Sequence, residues 1–167
     1  VLTSEPNYIL HAITDYQNDF VNSERATDPV YDPTPELPDH LPGVDLTKLY
    51  GIKKVAASQS WSISEGKGVL VADIDTGIDY NHQDLIHNLW RNTKIKNSRS
   101  VGYDFVDNDD KPFDLNGHGT HTAGSIAAMG GNGQGVYGVA PKAVLMAVRF
   151  LNADGSGTLD AAVKSID

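Results

Sequence analysis

The sequence predicts an α/β protein, with helices packed on a parallel sheet as a layered sandwich. Three observations point there. Val69–Ile74 (VLVADI) and Val144–Phe150 (VLMAVRF) are apolar runs of strand length, the composition of strands buried on both faces. Between them, Thr120–Met129 (THTAGSIAAM) has the length and small side chains of a helix packed closely on something. After the second run, Leu159–Ile166 opens a further helix at the end of the chain.

The remaining elements follow in order. Asn7–Ala12 (NYILHA) is a short candidate strand, and residues 13–26 read as a short helix or irregular chain. Asp28–Val44 (DPVYDPTPELPDHLPGV) holds five of the eight prolines and can form neither a helix nor a central strand. Each proline removes a donor and restricts its predecessor. This stretch is expected to be an extended arm. Ile52–Trp61 reads as a helix with Ile52, Val55, Ala56 and Trp61 along its apolar side. Ser64–Gly68 is a turn, residues 83–90 a short helix, and Ser100–Val106 a short strand. A glycine-rich loop, Gly130–Gly138, precedes the second apolar strand, and Asp154–Gly157 is a tight turn after it.

Composition excludes several classes of function. With no cysteine, the chain has no disulfide, no thiol nucleophile and no Cys-based zinc site, although this leaves the compartment open. A net charge of -9 disfavours nucleic acid and acidic membrane surfaces as partners. Seven of those nine units lie in residues 1–50, where nine acids face only Arg25 and Lys48. No apolar run approaches the roughly 18 residues of a membrane span. Val1 is not an initiator methionine, so any targeting segment is expected to have been removed or to lie outside this sequence.

Two residues stand out chemically. Asp75 sits at the carboxyl end of the first apolar strand, the edge of an α/β sheet where ligands and catalytic groups collect. Alone, it fits a catalytic group, a metal ligand or a cap for the next segment. His118 lies between Gly117 and Gly119 at a loop-to-helix junction. A histidine oriented by a carboxylate is the arrangement that activates a hydroxyl nucleophile. The competing reading is a metal held by Asp114, His118 and His121, spaced by four and three. It lacks an obvious carboxylate base.

Three other signals fail on mechanism. Gly133-x-Gly135-x-x-Gly138 matches a dinucleotide fingerprint as a string, but follows a helix rather than a strand. Asp107–Asp110 resembles the start of a calcium-binding EF-hand loop, but Lys111 and Pro112 stand where a ligand and a glycine belong. Ser156 lies in a tight turn without the strand that leads into a nucleophile elbow.

Together, VLVADIDTGIDYNHQDL (69–85) and NGHGTHTAGSIAA (116–128) resemble the Asp and His active-site motifs of the subtilisin-like serine proteases, the subtilases of peptidase family S8. GVYGVAPKAVLMAVRFLNADGSGTLDAAVKSI (135–166) is similar to the stretch that follows them. The resemblance runs from Tyr50 to the end and implies a parallel-sheet three-layer sandwich of subtilisin type, incomplete in this chain. It implies that Asp75 is the triad acid, His118 the general base and His121 a structural neighbour of the site. Gly155, Ser156 and Gly157 correspond to the edge that pairs with an extended substrate. Asp84 and Asn132 correspond to ligands of a structural calcium, with Leu46, or Asp45 beside it, at the position that completes the cage. Residues 1–12 resemble the end of an inhibitory propeptide, with a mature start between Leu10 and Tyr16. On this division residues 13–49 form an acidic, proline-rich arm and 50–167 the N-terminal part of a peptidase domain. The family resemblance also implies a secreted or extracytoplasmic protein.

Two departures matter. Asp73 stands where the family has an aliphatic residue, two before Asp75 and on the same strand face. A buried carboxyl there needs a partner or a proton, so a contact with Arg149 or a histidine is expected. Second, none of the eleven serines lies in the Gly-Thr-Ser motif of the family's nucleophile. The expected function is therefore a serine endopeptidase to which this chain supplies Asp and His, while a remaining C-terminal part supplies Ser and the oxyanion-hole Asn. By itself the chain is expected to be inactive. The alternative is a catalytically inactive, peptide-binding or regulatory module.

Overall fold

The computed structural model describes residues 9–11, 49–94, 100–133 and 135–167. The propeptide-like Glu5–Tyr8, the proline-rich arm, and Asp45 and Leu46 lie outside the described residues. The elements are β1 (Ile9–His11), α1 (Tyr50–Lys54), α2 (Ala57–Ser60), β2 (Leu70–Asp75), β3 (Gly102–Asp104), α3 (His118–Ala127), β4 (Val144–Arg149), β5 (Ser156–Thr158) and α4 (Leu159–Lys164). A 3₁₀ turn, Ile86–Asn88, takes the place of the short helix expected over residues 83–90.

The sheet is parallel, in the order β2-β4-β3. Its register places Val71, Asp73 and Asp75 of β2 beside Leu145, Ala147 and Arg149 of β4. Side chains alternate across a strand, so these six share one face. That face meets α3, whose Ala123 and Ala127 are fully buried. Small residues on α3 let its backbone come close to the sheet. Leu145, Val101, Ile78, Leu85 and Leu89 fill the core around it, and Tyr80 packs edge-on against Phe113 at 5.1 Å. Gly102 permits a closer approach still: a Cβ there would stand 1.6 Å from the Ala147 carbonyl oxygen.

Two expectations change. The helix expected over Ile52–Trp61 is broken into α1 and α2 at Ala56, which adopts a left-handed φ of 55°. That conformation costs a non-glycine residue about 1–2 kcal/mol. The break buries Ile52 and Ala57 and leaves Val55 exposed. Trp61 beyond it donates from Nε1 to the Val139 carbonyl at 3.0 Å and stacks on Tyr137. Burial on both faces holds for β4 but not for β2. Leu70 is half exposed and Ala72 exposed, both lying on the face of β2 that points away from α3.

Candidate active site

β2 ends at Asp75, and the chain turns through Thr76 and Gly77, whose φ of 104° suits glycine alone. α3 begins at His118, two residues earlier than the sequence suggested, with Gly117 (φ 100°) as its N-cap. The two ends meet at Gly119. A Cβ on that residue would lie 2.1 Å from the Gly77 carbonyl oxygen and 3.2 Å from Asp75 Cβ. Only glycine lets the helix start sit against the strand end.

A helix start leaves backbone N–H groups without intrahelical partners. Here side chains from three places accept them. His118 N donates to Asn116 Oδ1 at 3.2 Å, Gly119 N to Thr76 Oγ1 at 2.9 Å, and Thr120 N to Asp114 Oδ2 at 2.9 Å. Asp114 is buried and also accepts from the Asn116 and Gly117 backbone and from the Thr76 and Thr120 hydroxyls. It ties the strand end, the loop and the helix together.

The result is a fixed imidazole. His118 Nδ1 lies 2.8 Å from both Asp75 oxygens, and Asp75 Oδ1 also accepts from Thr76 N at 2.6 Å. A carboxylate only accepts, so Nδ1 carries the proton of this pair. The His118 side chain is 28% exposed while that of Asp75 is 11% exposed. The carboxylate is thus sheltered and the ring reaches the surface.

The metal reading built on Asp114, His118 and His121 fails. Asp114 is filled by five donors, His118 Nδ1 faces Asp75, and His121 is exposed. Among the described residues no group of three or more His, Cys, Asp or Glu is placed to hold an ion.

The expected Asp73 contact does not form either. Asp73 is buried, but Ala147 is its neighbour in β4, while Arg149 stands level with Asp104 of β3. Arg149 reaches that way, meeting Asp104 at 2.6 Å and Asp107 at 2.9 Å. Asp73 Oδ2 is buried with no hydrogen-bond partner among the described residues. Burial, and then the charges of Asp75 and Asp114, push its carboxyl up to about 7, against a smaller downward pull from His118.

Ser156 and Gly157 lie in β5 and Gly155 just before it. The expected turn is thus partly strand. β5 pairs antiparallel with β1, setting Ile9 opposite Thr158 and His11 opposite Ser156. His11 Nδ1 and Ser156 Oγ are 2.8 Å apart. Asp84 and Asn132 also come together. Asn132 Nδ2 donates to Asp84 Oδ1 at 2.6 Å, and Val136 N to Asp84 Oδ2 at 3.1 Å.

Residues 66–167 match the sequence model described as the Subtilase family. The chain belongs to that family. This subtilase is 44% identical to "Thermitase" of Thermoactinomyces vulgaris over 120 residues, covering 72% of this chain and 39% of thermitase. It is 39% identical to "Minor extracellular protease Vpr" of Bacillus subtilis (strain 168), covering 68% of this chain and 14% of that protein. Among solved structures, a cold adapted subtilisin-like serine proteinase matches with a TM-score of 0.51 and 37% identity, over 63% of this chain and 33% of that one. The fold is therefore α/β of subtilisin type, and the chain spans well under half of these relatives. The sequence singles out Asp75 and His118, but it does not show the parts played by Thr76 and Asn116, and it offers Asp114 only as a possible ligand. Asp-x-Asn-Gly, a turn-forming composition just before His118, was the available signal.

Proposed function

We propose that this subtilase chain supplies the acid and base of a serine endopeptidase, Asp75 and His118, to a nucleophilic serine and oxyanion-hole asparagine carried by a remaining C-terminal part. The observation that carries this is the His118 Nδ1 held at 2.8 Å by both oxygens of a sheltered Asp75. In the reaction His118 Nε2 takes the serine hydroxyl proton as its oxygen bonds to the peptide carbonyl carbon. Asp75 stabilises the imidazolium. His118 then gives that proton to the leaving amine as the C–N bond breaks. Water repeats the sequence on the acyl-enzyme and releases the acid. This chain holds no serine in the required context, so by itself it is inactive on this reading.

The test is labelling by a fluorophosphonate probe and hydrolysis of a peptide by the assembled protein. Labelling in the serine-bearing part, lost together with hydrolysis in His118→Ala, is the expected result. Peptide binding without labelling or hydrolysis would favour the regulatory module instead, a reading that the strand pairing of β5 also suits.

The β1–β5 pair supports two further assignments. An extended segment already runs along Ser156–Thr158, which is how the Gly155–Gly157 edge would take a peptide substrate through main-chain hydrogen bonds. Ile9–His11 occupying that edge fits the reading of residues 1–12 as the end of an inhibitory propeptide. A synthetic peptide of residues 5–11 should then compete with substrate. Calcium is assigned to Asp84 and Asn132. Asp84 is almost fully buried, and a Cβ on Gly135 would fall 1.7 Å from its Oδ2, so the glycine loop closes on a carboxylate. Calcium would take the Asp84 oxygens from the Asn132 amide and Val136 N–H that now bond them, with Asn132 turning its oxygen to the ion, and would tie the loop to the turn before the 3₁₀ segment. Chelator should lower the melting temperature, and should do so less in Asp84→Asn. A secreted or extracytoplasmic location rests on the family resemblance. Matched relatives are named both as extracellular and as intracellular proteases, so fractionation of the producing cells decides it.

A further inference from the structure

We propose that Asp73 is a positioning residue for the Asp75–His118 pair, a buried carboxyl whose charge state is coupled to that of the pair and shapes the pH dependence of the reaction. The proposal rests on the reading of Asp75 and His118 as acid and base.

Geometry carries it. Asp73 lies two residues before Asp75 on the face of β2 that meets α3, and is 4% exposed. Its Oδ2 has no hydrogen-bond partner among the described residues. The charged and titratable groups around it come from four places. β2 offers Asp75, the loop before α3 offers Asp114, and α3 offers His118 at its first residue. β4 has Arg149, but its guanidinium is taken by Asp104 and Asp107. His121 on α3 and Lys111 on the loop are exposed. Thus Asp73 shares its strand face with Asp75, whose carboxylate holds His118 Nδ1 at 2.8 Å, and no fixed cation among the described residues is paired with either.

Such groups do not titrate separately. The balance set by burial and the two neighbouring aspartates holds Asp73 near neutrality, where a serine peptidase's histidine also works. The coupling is mutual. A protonated His118 favours ionised Asp73, and ionised Asp73 in turn favours the imidazolium that forms as the serine loses its proton. An aliphatic side chain at this position cannot answer the imidazolium in this way. A purely structural Asp73 would alter stability and leave the pH profile where it is.

The experiment compares the assembled protease with Asp73→Asn, and with Asp73→Val as an apolar control for folding. kcat and KM for one peptide are measured from pH 5 to 9. The wild type should show an acid limb spread over two coupled ionisations. Both variants should show a single ionisation whose midpoint is lower by about 0.5 pH unit, roughly a threefold difference in rate on the limb. KM should stay within about twofold, since Asp73 is buried in β2 and away from the β5 edge. Superimposable profiles would overturn the proposal. A second readout needs no activity: the ¹³C resonance of the Asp73 carboxyl should titrate near 7 and move upward in His118→Ala. A midpoint in the ordinary carboxylate range, unmoved by that substitution, would also overturn it. If the wild type hydrolyses nothing, the peptidase reading falls alone, and the carboxyl titration still decides the coupling.

Discussion

The carboxyl ends of β2 and β3 lie in one small sheet and treat buried charge in opposite ways. At β3, Asp104 is fully buried, and the Arg149 guanidinium of β4 meets it at 2.6 Å while also holding Asp107. Asp104 Oδ1 further accepts from the backbone of Val106 and Asp107. That end gives its buried carboxylate a fixed cation, although both bonds come from Arg149 Nη1 and its Nε is buried without a partner among the described residues. At β2, Asp73 and Asp75 are buried on one strand face; Asp75 is met by the His118 imidazole rather than by a fixed cation, and Asp73 Oδ2 has no partner among the described residues. Closing a charge cluster favours one rigid arrangement. Leaving negative charge to be answered by an imidazole favours the protonated ring, which is the state a general base must reach.

The largest expected effect removes the imidazole. On the proposed reading, His118→Ala in the assembled protein should lower kcat by about 10⁴-fold or more, the size known for triad histidines generally, with little change in the urea midpoint. An unchanged kcat would end the comparison, because the β2 end would then be as inert as the β3 end. Next comes the closed end. Arg149→Ala strands Asp104 without its cation and should destabilise the fold by about 3–5 kcal/mol in denaturant titration. The acid limb of the pH profile should not move.

The third prediction separates the two ends by pH. The Asp73 carboxyl stands at about 7 in the folded chain against an ordinary 3.8. Between those values the folded state keeps a proton that the unfolded chain gives up. Stability from this group is therefore present below about pH 4 and lost as pH rises through 7. Asp73→Asn should accordingly match the wild type in melting temperature near pH 4 and exceed it by roughly 2–4 kcal/mol of stability at pH 8. A constant difference across that range would show that Asp73 does not titrate there. Gly119→Ala is expected to cost about 1–3 kcal/mol, because its methyl must displace the Gly77 carbonyl. It should also lower kcat by shifting His118 from Asp75. The smallest effect belongs to the surface pair of Asp160 and Lys164, more than half exposed at 2.7 Å. Lys164→Ala should change stability by less than about 0.5 kcal/mol and activity not at all.

How much of this could be read beforehand depended on whether the cause was local. β4 was legible because an apolar run such as Val144–Arg149 declares a buried strand by its composition alone. α3 was legible from its small residues, and Asp75 and His118 from the motifs that surround them. The break at Ala56 was not, since nothing in VAAS marks a left-handed residue, and the pull comes from burying Ile52 and Ala57 together. Pairing of β1 with β5 joins residues 145 positions apart, beyond the reach of any local pattern.

By itself the sequence determined the α/β class, the family, the two residues at the candidate site and the oddity of a carboxyl at position 73. Each rests on residue type and spacing along the chain. Only the tertiary structure decided where Arg149 goes, and so whether Asp73 has a partner. The parallel register sets Arg149 level with Asp104, and Ala147 beside Asp73. A charge pair depends on distance in space, and that register is what fixes the distance.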